Sequence, residues 1–166
     1  TLFALEAARE AAGQQHTLII VEGYFDAVAL HQAGIRHVAA TLGTALTAEH
    51  ITVIRRFASN VVLLFDPDQA GVRAALRTLD LFVNSGLSVK VVSLPEGDDP
   101  DTYVRKYGAE GFTALHEAAP SLLDFAVEHS LRTAESGTVE DRIRAVDAVL
   151  RILQKSAHPI EREERI

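Results

Sequence analysis

Short apolar runs alternate with helix-period stretches along the first two thirds of the chain. Thr17 to Val21, His37 to Ala40, Asn60 to Phe65 and Ser88 to Leu94 are short, mainly apolar segments, and they predict strands. Between them the spacing changes. Leu2 to Ala12 predicts a short helix ending near Gly13. Tyr24 to Ala33 predicts a helix with Phe25, Val28 and Ala29 on its inner side, stopped at Gly34. Thr47 is placed to cap a helix through Phe57, with Ile51 and Ile54 inward. Gln69 to Val83 carries Val72, Ala75, Leu76, Leu79, Phe82 and Val83 at helical spacing. Strands alternating with helices predict an α/β fold, a parallel sheet with right-handed crossovers and helices on both faces.

After Pro100 no further strand is predicted. Asp101 to Tyr107, Ala109 to Ala118, Ser121 to Leu131 and Thr138 to Leu153 read as helices. In the last, Val139, Ile143, Val146, Val149, Leu150 and Leu153 share one face, and Thr138 and Asp141 resemble a capping box. The expectation is a compact α/β domain over residues 1–119 and a helical C-terminal segment over 120–166, docked or truncated.

The strand ends change the picture. In open parallel sheets, ligands bind beyond the carboxyl ends of the strands. Glu22 follows the first strand, Asp66 and Asp68 the third, and Asp98, Asp99 and Asp101 the fourth. Three sequence-distant acidic groups are thus expected along one edge. Taken singly, each has an ordinary alternative: Asp66 or Asp68 as a helix cap, Asp99 and Asp101 as a solvated turn, Glu22 as a strand-end carboxylate satisfied by backbone N–H groups. Together they raise one another's pKa unless a cation neutralises them. Oxygen donors without Cys point to Mg2+ or Mn2+ rather than zinc.

Composition narrows the classes. The 166 residues are 48% hydrophobic, enough for one domain with a core. There is no Cys, hence no disulfide framework and no thiolate nucleophile. No run reaches membrane-span length and no signal peptide is visible, which sets the expectation of a cytoplasmic protein with no membrane partner. The chain starts at Thr1 and has no Met, so a piece of a larger protein is expected. The net charge of -7 suits a metal site better than a surface that grips nucleic acid by itself.

Glu22-Gly23-Tyr24-Phe25-Asp26, Asp66-Pro67-Asp68-Gln69-Ala70-Gly71 and Asp98-Asp99-Pro100-Asp101 resemble the Toprim motifs in the version found in bacterial DNA primases. The loop Thr41 to Thr47, the run Leu94 to Asp101 and the lead-in Leu2 to Ala8 are similar to the same family. The resemblance implies a Toprim-like catalytic core that polymerises ribonucleoside triphosphates on a single-stranded DNA template at replication forks. Catalytic roles would fall on Glu22, Asp66 and Asp68, and metal ligation on Glu22, Asp66, Asp68, Asp99 and Asp101. Asp26 would be a supporting acid. Arg55, Arg56, Arg73, Arg77, Arg105 and Lys106 could meet phosphates, although such residues are more often solvated helix faces; Arg73, Arg77 and Lys106 are the candidates for nucleotide or template phosphate. The family's zinc domain, basic half and helicase-contacting tail are expected to lie outside the chain, so the replicative helicase would be met through other parts of the parent protein. Two positions depart from the family: Pro67 stands where Gly is usual, and Gln69 where Arg is frequent. Pro holds φ at about -65° and lacks an N–H, so the loop backbone and one positive contact differ. Two other classes stay open. One is a haloacid-dehalogenase-like phosphatase with Asp66 as nucleophile and Asp68 as acid/base. The other is a non-catalytic Toprim module that holds nucleotides or a partner.

Overall fold

The computed structural model describes residues 2–65, 69–83, 85–135 and 138–140, together with 143, 146, 147 and 150; for 69–73 and 133–135 it describes the backbone alone. The elements run α1 (Leu5–Gln15), β1 (Thr17–Val21), α2 (Tyr24–Gln32), β2 (Val38–Ala40), α3 (Ala48–Ile54), β3 (Asn60–Phe65), α4 (Gln69–Phe82), β4 (Ser88–Ser93), α5 (Pro100–Ala118) and α6 (Leu122–Glu135). The four strands form one parallel sheet in the order β2-β1-β3-β4. Each expected strand is present, and helices cover both faces.

Pleat alternation divides the strands between two cores. Leu18 and Ile20 of β1, and Val61, Leu63 and Phe65 of β3, pack under α1, α3, α4 and α6. Ile19 and Val21, with Val62 and Leu64, pack under α2 and α5. Every residue of β1 is buried, which explains a run with no polar alternation.

Several expectations need correction. The first helix begins at Leu5, because Phe3 instead makes an antiparallel bridge to Ala40 and Ala4 turns the chain at φ 59°. It runs past Gly13 to Gln15 and stops where His16 takes φ 52°. The inner face of α2 is the predicted one at Ala29 but not at Phe25 and Val28. Phe25 is 70% exposed and Val28 40%, while Ala27, Ala29 and Leu30 are buried. A helix packed on both the sheet and α5 needs small residues on its buried side, and Ala27 supplies one in place of Phe25. Beyond Pro100 the expectation of two helices holds: within Pro100–Ala118 the helical backbone is interrupted at Gly108, which adopts φ 65°.

The C-terminal segment is docked as far as it is described in α6. Ser121 bridges to Lys90 of β4, and Leu122, Phe125 and Ala126 complete the core under α4. Positions 139, 140, 143, 146, 147 and 150 are helical, with Val139, Ile143, Val146 and Leu150 exposed. Asp141, Val149 and Leu153 lie outside the described residues. Among the described residues, no helix is long and apolar enough to cross a membrane.

Candidate functional site

The strand registers bring the ends of β1, β3 and β4 level: Val21 pairs with Leu64, and Leu64 with Val92. Glu22 is the first residue beyond β1. Two backbone bonds extend the ladder past it. Thr41 N–H donates to Val21 O at 3.0 Å, and Leu42 N–H donates to Glu22 O at 3.0 Å. The loop after β2 therefore clamps the backbone that carries the carboxylate. That loop turns through Leu42 at φ 55° and Gly43 at φ 74°, and the Thr44 hydroxyl closes it by donating to Thr41 O at 2.5 Å.

Alternation along β1 puts Glu22 on the face of Leu18 and Ile20, the face covered by α3 and α4. There its Oε1 is buried. Glu22 lines a cavity of about 270 Å³ with Thr41, Thr44, Leu46, Phe65, Arg77 and Thr78 among its walls. Among the described lining residues, Glu22 and Arg77 are the two charged groups.

Gly23 and Asp26 explain the motif that follows. Asp26 sits at the third position of α2, and its Oδ2 accepts the Gly23 N–H at 3.0 Å. A Cβ on Gly23 would stand 2.8 Å from that oxygen, so a larger residue here would push the Asp26 carboxylate aside. Asp26 thus holds the turn between Glu22 and α2.

The fourth-strand acids have local partners. Asp99 caps α5: its Oδ1 accepts the Thr102 N–H at 2.7 Å and the Thr102 hydroxyl at 2.8 Å, and Pro100 follows at the first helical position. The Thr102 N–H bond, then the Thr102 hydroxyl bond, hold the Asp99 carboxyl below its ordinary value. Asp101 pairs with Arg105 one turn on, at 2.8 Å. Asp98 is buried and bonded to Lys106, whose pKa it raises chiefly through that hydrogen bond. Lys106, a candidate phosphate contact, pairs with Asp98 across eight residues, beyond the turn at Gly97.

Glu22 and the Asp98–Asp101 run share the carboxyl edge but flank it from opposite faces, since α5 packs on the second core. Among the described residues no three His, Asp or Glu side chains form a group that could hold a metal ion. Asp66, Pro67 and Asp68, which join the two flanks in sequence order, lie outside the described residues, as does the side chain of Arg73. Sequence reasoning missed the Thr41, Thr44 and Thr78 lining; the signal for it was the threonine spacing of the loop after β2. Arg55 and Arg56 are exposed, as expected.

Residues 19–104 match the family model described as Toprim-like, and residues 123–166 match the DnaB-helicase binding domain of primase. The second match corrects the expectation that helicase-related sequence lies wholly outside the chain. The chain is 40% identical over 147 residues to a DNA primase of Clostridium acetobutylicum, covering 89% of this chain and 24% of that protein. It superposes on the E. coli primase catalytic core with a TM-score of 0.83 at 35% identity, over 99% of this chain and 53% of that one. A primase catalytic domain solved bound to single-stranded DNA gives a TM-score of 0.82 at 34% identity, over 99% of this chain and 54% of that one. The chain therefore spans about a quarter of the curated relative and about half of the solved cores.

Proposed function

Because the chain belongs to the Toprim-like family, in the form that bacterial DNA primases carry, we propose that it is the catalytic part of a primase that makes RNA primers from ribonucleoside triphosphates on a single-stranded DNA template. The observation that carries this is the placement of Glu22. A buried carboxylate oxygen stands at the carboxyl end of β1, beside β3, on backbone clamped by the loop after β2. This is the position at which an open parallel sheet binds ligands. The family match includes Glu22, which the phosphatase reading leaves unused, and so favours the Toprim reading.

Mg2+ or Mn2+ would be held by Glu22, Asp66 and Asp68, with Asp99 and Asp101 contributing from the α5 side. The donor set is all oxygen, which suits such a hard cation. When bound, the ion would offset the carboxylate charge and stabilise charge on the phosphoryl oxygens in transfer. The chain's own residues do the rest. Asp26 fixes the Gly23 turn and so the direction of Glu22. Thr102 keeps Asp99 ionised by donating two hydrogen bonds to it. The Asp98–Lys106 pair ties the loop before α5 to the helix. A replicative helicase is the partner proposed for residues 123–166, on the strength of their family match. A cytoplasmic location goes with that role.

Calorimetric titration with Mg2+ and Mn2+ tests the reading. Binding in the wild type that is lost in Glu22→Gln and in Asp66→Ala is the expected result. Absence of binding at millimolar metal would overturn the metal-site reading and favour a non-catalytic module.

A further inference from the structure

The turn from Pro95 to Asp99 leads from β4 into α5. Both of its flanks are anchored on the second core, by Leu94 on one side and by Tyr103 and Val104 on the other. Within the turn, Pro95, Glu96, Gly97 and Asp99 are exposed and Asp98 is buried. The inward anchor of this turn is therefore a carboxylate. The Asp98 N–H donates to Pro95 O at 3.1 Å and closes the turn that Gly97 makes at φ 86°. The Asp98 Oδ1 accepts from Lys106 Nζ. Lys106 lies almost two turns into α5. Helical side chains lean toward the N-terminus, so a long one at that position reaches back to the turn. Burial separates this pair from its neighbour. Arg105 and Asp101 are 75% and 39% exposed in their side chains, and a surface pair of that kind contributes little. The Asp98 side chain is 6% exposed, and a carboxylate so enclosed is costly to leave without its cation.

We propose that Lys106, acting through Asp98, is a positioning residue for the cation site: the pair fixes the turn, and with it the placement of Asp99 and Asp101. The inference rests on the metal-site reading and gives Lys106 a task other than phosphate contact. Without Lys106, the Asp98 carboxylate moves out to water and carries the turn with it. Asp99 is the next residue in the chain, so it is displaced first. Charge by itself predicts the opposite. Removing a lysine beside a cation site leaves that site more negative, which tightens cation binding. The sign of the change thus separates a positioning role from a purely electrostatic one.

The test is calorimetric titration of the whole chain with Mn2+ and no phosphate, on wild type, Lys106→Gln, Lys106→Arg and the double variant Asp98→Ala/Lys106→Gln. Thermal melts of each protein set a titration temperature at which it is folded. Lys106→Gln is expected to weaken Mn2+ by about tenfold, the scale for losing a group that orients a metal ligand. The double variant keeps the net charge of wild type and buries no unpaired carboxylate. It carries the test even where Lys106→Gln fails to fold, and the same loss of affinity is expected from it. Lys106→Arg recovers most of the affinity, because both cation and reach return. A merely structural role would lower the melting temperatures and leave Mn2+ affinity in place. Unchanged or tighter Mn2+ binding in the double variant or in folded Lys106→Gln, or a Lys106→Arg that binds no better than Lys106→Gln, overturns the inference and leaves the metal site standing. A wild type that binds no Mn2+ overturns the metal-site reading itself.

Discussion

At the scale of single residues, Asp99 carries one observed role and one proposed role. Its hydrogen bonds to Thr102 make it the N-cap of α5, and the proposed function adds metal ligation. The two roles separate by substitution. Asp99→Ala is expected to cost about 1 kcal/mol of stability through the lost cap. Asp99→Asn keeps the cap oxygen but removes the charge, so its melting temperature stays near wild type while Mn2+ affinity falls. Equal metal affinity in Asp99→Asn and wild type would leave Asp99 a cap alone. Gly23 makes a related point. Asp26 Oδ2 approaches to 2.8 Å of where a Cβ would stand, so the glycine leaves room for the hydrogen bond that supports the turn after Glu22.

At the scale of elements, α6 is the informative case. It was legible as a helix, and its docking under β4 and α4 follows from the Ser121 to Lys90 bridge and the burial of Leu122, Phe125 and Ala126. Phe125→Ala should therefore destabilise the whole domain, by about 3–5 kcal/mol, and not merely fray its end. Equilibrium denaturation with a single transition shifted by that amount would bear this out. A second transition confined to the C-terminal helices would mean that α6 is a separate unit. Helix α2 teaches the opposite lesson. Its sequence has apolar residues almost all round, so periodicity could not choose between Phe25 and Ala27 as the buried group. Contact with α5 on one side and β2 on the other chose the smaller residue.

At the scale of the whole molecule, half-buried histidines couple stability to pH. His37 lies below its ordinary value, mainly through burial and then through the charges of His116 and His31. His116 is lowered by burial and then by Lys90. Groups with depressed folded pKa values bind protons less readily in the native state than when unfolded. Their contribution is complete above about pH 6.5, the ordinary histidine value, and is lost as the pH falls through the depressed folded values. Urea denaturation at pH 7.5, 6.5 and 5.5 should thus show falling stability, and His37→Gln should flatten the slope. A slope identical to wild type in that variant would remove His37 from the account. Asp99 acts in a lower window. Its depressed value adds stability above the ordinary carboxylate range that disappears as the pH falls through its folded pKa.

Strand positions, their parallel arrangement and the presence of acids along the carboxyl edge were all determined by the sequence alone. Each depends on local pattern: apolar runs such as Thr17–Val21 need burial on both faces, and βα alternation admits few topologies. The acidic motifs were legible for the same reason, because each lies within a residue or a few of a strand end. What the sequence did not decide is which side of the edge each acid serves, and which cation each one keeps. Pleat parity and the choice of covering helix put Glu22 toward α4 and the Asp98–Asp101 run toward α5. The turn at Gly97 brought Lys106 to Asp98, and a site in α4 left Arg77 at the rim of the Glu22 cavity. These outcomes depend on the relative placement of elements distant in sequence, and only tertiary packing sets that.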